Sequence, residues 1–219
     1  MTAAEYLAQL RIYLNDLPED GEDGRWTDLE LGTFLQAAVK EYSQDFPRER
    51  RMTFTADGTS DSFDIPTDLI DDAIHRIRFR MNDAAWQEVP RREVRSNYSN
   101  LFFETIGQEL VFGYQPTDGT VFEIVYDGLH ELPDAGASTV PSEDEDLIFT
   151  FAQFLAWRRV AGNDAALSRW KETGKRDDNP LIPQHVFLRR DYDDGVKRRR
   201  KPRMLTRKQA LGARDRYGR

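Results

Sequence analysis

The chain contains no cysteine. That removes disulfides, thiolate metal sites and a cysteine nucleophile together, and it fits a reducing compartment. Histidine is nearly as scarce. His75, His130 and His185 lie in three unrelated segments, and none has a histidine partner four residues away. Zinc sites need several ligands at characteristic spacing, so the sequence predicts surface or strand histidines and no metal ion. Long apolar runs are missing as well. No stretch approaches the roughly 20 apolar residues of a membrane helix. The N-terminus, MTAAEYLAQL, has no basic segment ahead of an apolar one, so no secretory signal is expected. These absences predict a soluble chain made in the cytosol, with no membrane partner.

The motifs of common chemistries are absent too. There is no Gly-rich phosphate loop, no G-x-S-x-G elbow and no dinucleotide fingerprint. Acidic clusters are plentiful: Glu19-Asp20, Asp71-Asp72, Glu143 to Asp146, and Asp191 with Asp193-Asp194. None alternates ligands around a glycine and closes on Glu, as a calcium loop does. Glu143 to Asp146 fall in a first helical turn, where negative charge complements the dipole, and they read as a solvated face. A hydrolase built on scattered carboxylates has no motif behind it. The expectation is a chain that is not an enzyme and carries no cofactor.

What the sequence does have is an uneven charge. The 219 residues carry a formal net charge of −8. Eleven of the 31 basic residues and one of the 39 acids lie in 197–219, leaving 20 basic residues against 38 acids in the rest. An acidic body with a basic tail calls for a partner or a reason.

Residues 2–17 read as an amphipathic helix, opened by a Thr2/Glu5 capping box and carrying Tyr6, Leu10, Tyr13, Leu14 and Leu17 at helical spacing. A second helix begins at Thr27 with Glu30 as its box partner and Trp26 stapled to Leu31, and it ends before Pro47. The two are expected to pack as a hairpin. From about residue 51 the period changes to two. Met52, Phe54 and Ala56 alternate with polar residues, followed by SFDIP, IHRIRFRM (74–81), LFFET (101–105), ELVFGY (109–114) and TVFEIVYDG (120–128). Short connections such as IGQ and QPTDG predict antiparallel hairpins in a meander of five or six strands. PTDLIDD (66–72) and PRREVRSN (90–97) each open with Pro and read as short helices.

After a long loop at 129–141, Ser142 and Glu145 open the strongest helix, whose Leu147, Ile148, Phe151, Phe154, Leu155, Trp157 and Val160 cover a wide apolar face. A shorter helix over 164–173 follows, then a loop at 174–184 and a turn or two of helix at 185–194. The tryptophans and Phe34 read as core, with Trp86 half-buried. The fold class is α+β. A small helical bundle is built from the N- and C-terminal helices, with an inserted antiparallel β-meander and an extended basic C-terminal arm. The blocks are 1–50 (helical hairpin), 51–128 (β insertion), 129–195 (long core helix and shorter helices) and 196–219 (arm).

The arm has too little apolar content to order by itself, and its 23 residues reach about 75 Å when extended. Its KRRRKPR run admits three readings. It can dock on an acidic protein surface through Arg forks. It can neutralise nucleic-acid phosphates, as in a DNA-binding regulator. Or it is a solvated tail or localisation signal. No aromatics interleave for base stacking, and no helix-turn-helix or finger accompanies it.

In its order of elements over about residues 5–175, the chain resembles the head-to-tail adaptor (connector) family of tailed bacteriophages. The resemblance rests on Trp26-Thr27-Asp28-Leu29-Glu30-Leu31 at the second helix and on Phe63-Asp64-Ile65-Pro66-Thr67-Asp68-Leu69. It rests also on the basic alternation from Ile74 to Met81, the W-x-E-V-P-R-R-E segment, Val125-Tyr126-Asp127-Gly128, and the aromatic helix from Leu147 to Val160.

That resemblance implies a structural protein of the virion neck, made in the bacterial host cytoplasm. It implies a homo-oligomeric ring of about twelve copies under the portal protein, extending the DNA channel. Genomic DNA would pass through without sequence-specific binding, and a downstream tail or stopper/nozzle protein would dock below. A different neck or tail-completion role is the nearest alternative. The resemblance also implies portal binding through the C-terminal segment, here Lys197, Arg198, Arg199, Arg200, Lys201, Arg203, Arg207 and Lys208.

Overall fold

The computed structural model describes residues 1–17, 24–82, 84–91, 102–134, 136–163 and 181–200. It divides into two compact units, one comprising 1–38, 134–137 and 141–219, the other 39–133 and 138–140. This partition differs from the sequence blocks, because the boundary falls inside the second helix.

In the helical unit, α1 (Ala3–Leu14) is opened by the expected capping box, with Thr2 Oγ1 accepting from the Glu5 N–H and Glu5 Oε2 accepting from the Thr2 N–H. It stops three residues earlier than the periodicity suggested. Asn15 adopts the left-handed conformation (φ 51°) and turns the chain, which leaves Leu17 exposed. The expected α1–α2 hairpin is not the main packing. α1 lays Tyr6 and Tyr13 against Phe149 of α3 (Glu145–Asn163), with ring centroids 5.3 and 5.1 Å apart. At its C-terminal end Arg11 bridges Asp16 and Asp28.

α2 (Asp28–Asp45) has its capping box between Thr27 and Glu30, with Trp26 and Leu31 both buried. Arg159 of α3 pairs with Glu30. Trp26 meets Trp157 edge-on at 5.7 Å.

α3 is entered through a short 3-10 turn (Ser142–Asp144) rather than a Ser142 cap; Pro141 precedes it and no side chain caps it. Glu145 is employed elsewhere, accepting from the Tyr6 hydroxyl at 3.0 Å and pairing with the N-terminal ammonium at 3.4 Å. Leu147, Ile148, Phe149, Phe151, Ala152, Phe154, Ala156 and Val160 are all buried, so α3 is the central helix of its unit, as its wide apolar face predicts.

The largest departure from the sequence reading is α4 (Leu181–Arg199), a 19-residue helix where a loop and a turn or two of helix were expected. Among its described side chains the apolar stripe is thin: Leu188, Tyr192 and Val196, one residue per turn. Pro183 stands in its first turn, where a missing N–H costs nothing. Exposed pairs at helical spacing, Arg189–Asp193 and Arg190–Asp194, support it. Tertiary packing on α3 does the rest. Tyr192 is 1% exposed, its ring 4.9 Å from Phe151. The basic arm therefore starts later than expected, because Lys197, Arg198 and Arg199 belong to the last turn of α4. The expected helix at 164–173, most of 90–97 and the arm from Lys201 lie outside the described residues.

Among the described residues the second unit holds seven strands: β1 (Arg48–Thr55), β2 (Ser62–Asp64), β3 (Leu69–Arg80), β4 (Gln87–Val89), β5 (Phe103–Ile106), β6 (Glu109–Phe112) and β7 (Val121–Gly128). Their pairings with one another are antiparallel, as the alternation predicts, and Phe103 of β5 adds an isolated parallel bridge to Arg91. They do not run as one meander. A four-stranded sheet has the order β1-β7-β3-β4 and a three-stranded sheet the order β2-β6-β5. Only β3-β4 and β5-β6 join sequence neighbours. The β5–β6 turn places Gly107 at φ 64°, a conformation glycine adopts without a Cβ penalty.

PTDLIDD is not helical. Pro66 opens a turn closed by the Leu69 N–H on its carbonyl, and β3 follows with a bulge at Asp71 and Asp72, both at positive φ. Proline suits the start of a turn as well as that of a helix, and pairing of Leu69 with Gly128 decides for strand. Inward side chains from both sheets share one core: Ile77, Val89, Phe103, Leu110, Phe112, Phe122, Ile124 and Tyr126. Phe122, fully buried, stacks on Phe54 at 5.0 Å and meets Phe112 at 4.6 Å.

Candidate docking surface

The basic residues singled out from sequence are treated unequally by the fold. Arg198 is exposed on the last turn of α4, and Arg200 is exposed just beyond it. Lys197 reaches Asp194 on its own helix at 3.1 Å, a pair at the solvent edge. Arg199 turns inward. Its Nε lies 2.9 Å from Asp144 Oδ1, and its Nη2 donates to both Asp146 oxygens at 2.8 and 2.9 Å and to the Glu143 carbonyl at 3.1 Å. Lys201, Arg203, Arg207 and Lys208 lie outside the described residues.

The acidic cluster at 143–146 is thus more than a solvated face. Asp144 and Asp146 hold the end of α4, and Glu145 holds Tyr6 and the chain N-terminus. Sequence reasoning missed this because charge alone does not say which partner it meets. Asp194, beside Lys197, is held below the usual carboxylate range by the lysine's hydrogen bond and charge.

An open groove of about 680 Å³ runs along α4, bordered by Phe154, Arg158, His185, Val186 and Arg189 among others. The Arg189 guanidinium lies over the Phe151 and Phe154 rings at 5.1 and 5.9 Å. Its acids, Asp193 and Asp194, are paired with arginines one turn away. The groove offers apolar and paired charged groups, not a nucleophile next to a base.

The other histidines serve architecture in the β unit. His75 pairs with Asp127 at 2.7 Å on an exposed edge. His130 locks the 129–140 loop to the end of α2: Nε2 faces the Phe46 carbonyl at 3.0 Å, Nδ1 faces the Thr139 carbonyl at 2.9 Å, and its backbone N–H donates to Ser43. Trp86 is half-buried, as expected, with the Arg78 and Arg80 guanidiniums each 4.8 Å from its ring.

On the face of the four-stranded sheet away from the core, Glu123 is 8% exposed and paired with Arg78. Arg78 Nη2 donates to Glu123 Oε2 at 2.9 Å, while Nε stands 2.7 Å from Oε1 as an ion pair without hydrogen-bond geometry. Hydrogen bonding to Arg78 keeps this carboxyl below its ordinary range against the opposing effect of burial, and the charges of Arg78, Arg51 and Arg76 add to it. Tyr126 donates to Asp68, which also pairs with Arg50; burial first, then Asp68, pushes the phenol up to about 12. Both arrangements bind side chains of the β unit to one another and read as structural. Among the described residues no group of three or more His, Asp or Glu could hold a metal ion, and no helix is long and apolar enough to cross a membrane.

The family model described as SU10 adaptor protein matches residues 1–178. Among solved structures, the chain is similar to a component of the neck of an empty GTA particle, computed with C6 symmetry, at 16% identity and a TM-score of 0.30, over 70% of this chain and 77% of that one. No curated protein matches.

Proposed function

Because the chain belongs to the SU10 adaptor protein family, we propose that it is a structural head-to-tail adaptor of a tailed-phage virion, with no catalytic activity and no cofactor. In this reading copies assemble into a ring of about twelve under the portal, by closed cyclic symmetry. The ring continues the DNA channel and offers a platform to the next tail component. The observation that carries it is the family match, which takes in all of the β unit and the helical unit up to residue 178.

The arm lies beyond the matched residues, so the portal as its partner rests on charge. Arg and Lys on and after the last turn of α4 suit an acidic protein surface. The remainder, with 20 basic residues against 38 acids, repels a passing genome within a Debye length of about 8–10 Å. That supports transit of DNA without sequence-specific binding.

Size-exclusion chromatography with light scattering tests the proposal, comparing the chain alone with the chain mixed with its portal ring at low and moderate salt. The expected result is about twelve copies bound per portal ring. A chain that ignores the portal but binds DNA with steep salt dependence makes the arm a nucleic-acid-binding element instead. A chain that binds only a later neck or tail component makes it a completion protein.

A deletion experiment belongs after Arg200. A chain cut at Gly195 would also lose Val196, 5% exposed, and the Arg199 ion pairs, mixing folding with docking.

A further inference from the structure

We propose that Arg199 is a positioning residue that fixes the root of the basic arm, and that it is not itself a docking contact; this rests on the adaptor reading above. Arg199 sits between two exposed basic neighbours, Arg198 and Arg200, and in sequence nothing separates the three. The fold does. The Arg199 side chain is 29% exposed, against 74% for Lys197 two residues earlier. Its guanidinium reaches two carboxylates and one carbonyl of the first turns leading into α3: Asp144 at 2.9 Å, Asp146 at 2.8 and 2.9 Å, and Glu143 O at 3.1 Å.

Both helix ends favour the arrangement. Asp144 and Asp146 stand at the positive end of α3 and Arg199 at the negative end of α4, so each charge complements its own dipole as well as its partner. A planar guanidinium bound through two of its nitrogens has its orientation set, which a lysine at this position would not reproduce.

The same turn of α3 holds the chain N-terminus and Tyr6 through Glu145. The last turn of α4 is therefore fastened to a fixed point of the helical unit. A docking partner that took Arg199 would first have to break this cluster. Arg198, exposed on the other side of the same turn, is not part of that cluster. Of the eight basic residues read from sequence, Arg199 thus fixes the last turn of α4, from which the basic segment continues.

The full-length chain tests this with three variants: Arg199→Gln, the pair Asp144→Asn with Asp146→Asn, and all three together. Hydrogen exchange of the amides of 196–200 in the free protein is the first readout. If Arg199 works through the cluster, each variant raises exchange there by about tenfold, and the triple variant adds nothing beyond either. Affinity for the portal ring against salt is the second. The acidic-pair variant, which removes no basic residue, is expected to weaken binding as much as Arg199→Gln does, with an unchanged salt dependence. Arg198→Gln is expected to make the salt dependence shallower.

The proposal is overturned if Arg199→Gln weakens binding and flattens the salt dependence while the acidic-pair variant leaves exchange and binding as in the native chain. If the native chain does not bind the portal ring, the docking reading fails, and unchanged exchange in the variants would sink the cluster separately.

Discussion

Gly195 of α4 lies against Leu147 of α3 so closely that a Cβ on the glycine would stand 2.6 Å from Leu147 Cδ2. Glycine inside a helix is unfavourable by roughly 1 kcal/mol relative to alanine. Here it lets the two helices approach, and Leu147 is only 3% exposed, with little room to yield. Gly195→Val is expected to destabilise the helical unit by about 1–3 kcal/mol through overpacking. Combining it with Leu147→Ala should recover part of the loss, because the second change vacates the space the first one needs. Urea unfolding of the two single variants and the double measures this coupling.

The Glu123–Arg78 pair makes stability depend on acid. The folded-state pKa of Glu123 is lowered, so its contribution is fully present above the ordinary Glu value of about 4.3 and is lost as pH falls through the lower folded value. Glu123→Gln should cost about 1–3 kcal/mol at neutral pH, since it leaves Arg78 without its carboxylate. It should also flatten the decline of the urea midpoint below about pH 4. A decline of equal steepness in variant and native chain would assign the acid sensitivity to other groups.

Tyr126 carries the opposite sign of dependence at the alkaline end. Its phenol is raised to about 12, so its contribution is present below the unfolded value of about 10 and is lost as pH climbs between the two. Absorbance titration of the phenolates is expected to show a fraction ionising near pH 12, and Tyr126→Phe should remove one group from that fraction.

Phe122 is the hub of the β core, in ring contact with Phe54, Phe63, Phe79 and Phe112. Phe122→Ala is expected to cost about 3–5 kcal/mol, since rings held on several sides cannot collapse into the space. Thr53→Ala, on the exposed face of the neighbouring strand, should stay within about 0.5 kcal/mol. Thermal unfolding followed by near-ultraviolet circular dichroism distinguishes the two.

The parts legible in the sequence were those fixed by short-range physics. Thr2/Glu5 and Thr27/Glu30 mark their helix starts because unpaired N–H groups need an acceptor three residues away. The period of two in 121–128 and the wide apolar face of α3 follow in the same way from which side chains share a face. The short strand at Gln87–Val89 escaped notice because three residues cannot show a period, and only Val89 faces the core.

Residue order along the chain therefore determined the α+β composition, most helix starts, the antiparallel strands and the contrast between acidic body and basic end. Only the tertiary structure decided that β7 lies between β1 and β3, because strand partners are chosen by the shared core and not by adjacency. It also turned residues 181–199 into one long helix, whose thin apolar stripe gains its stability from α3. And it separated Arg199 from its basic neighbours. A guanidinium carries the same charge wherever it stands, and only packing puts Asp144 and Asp146 within its reach.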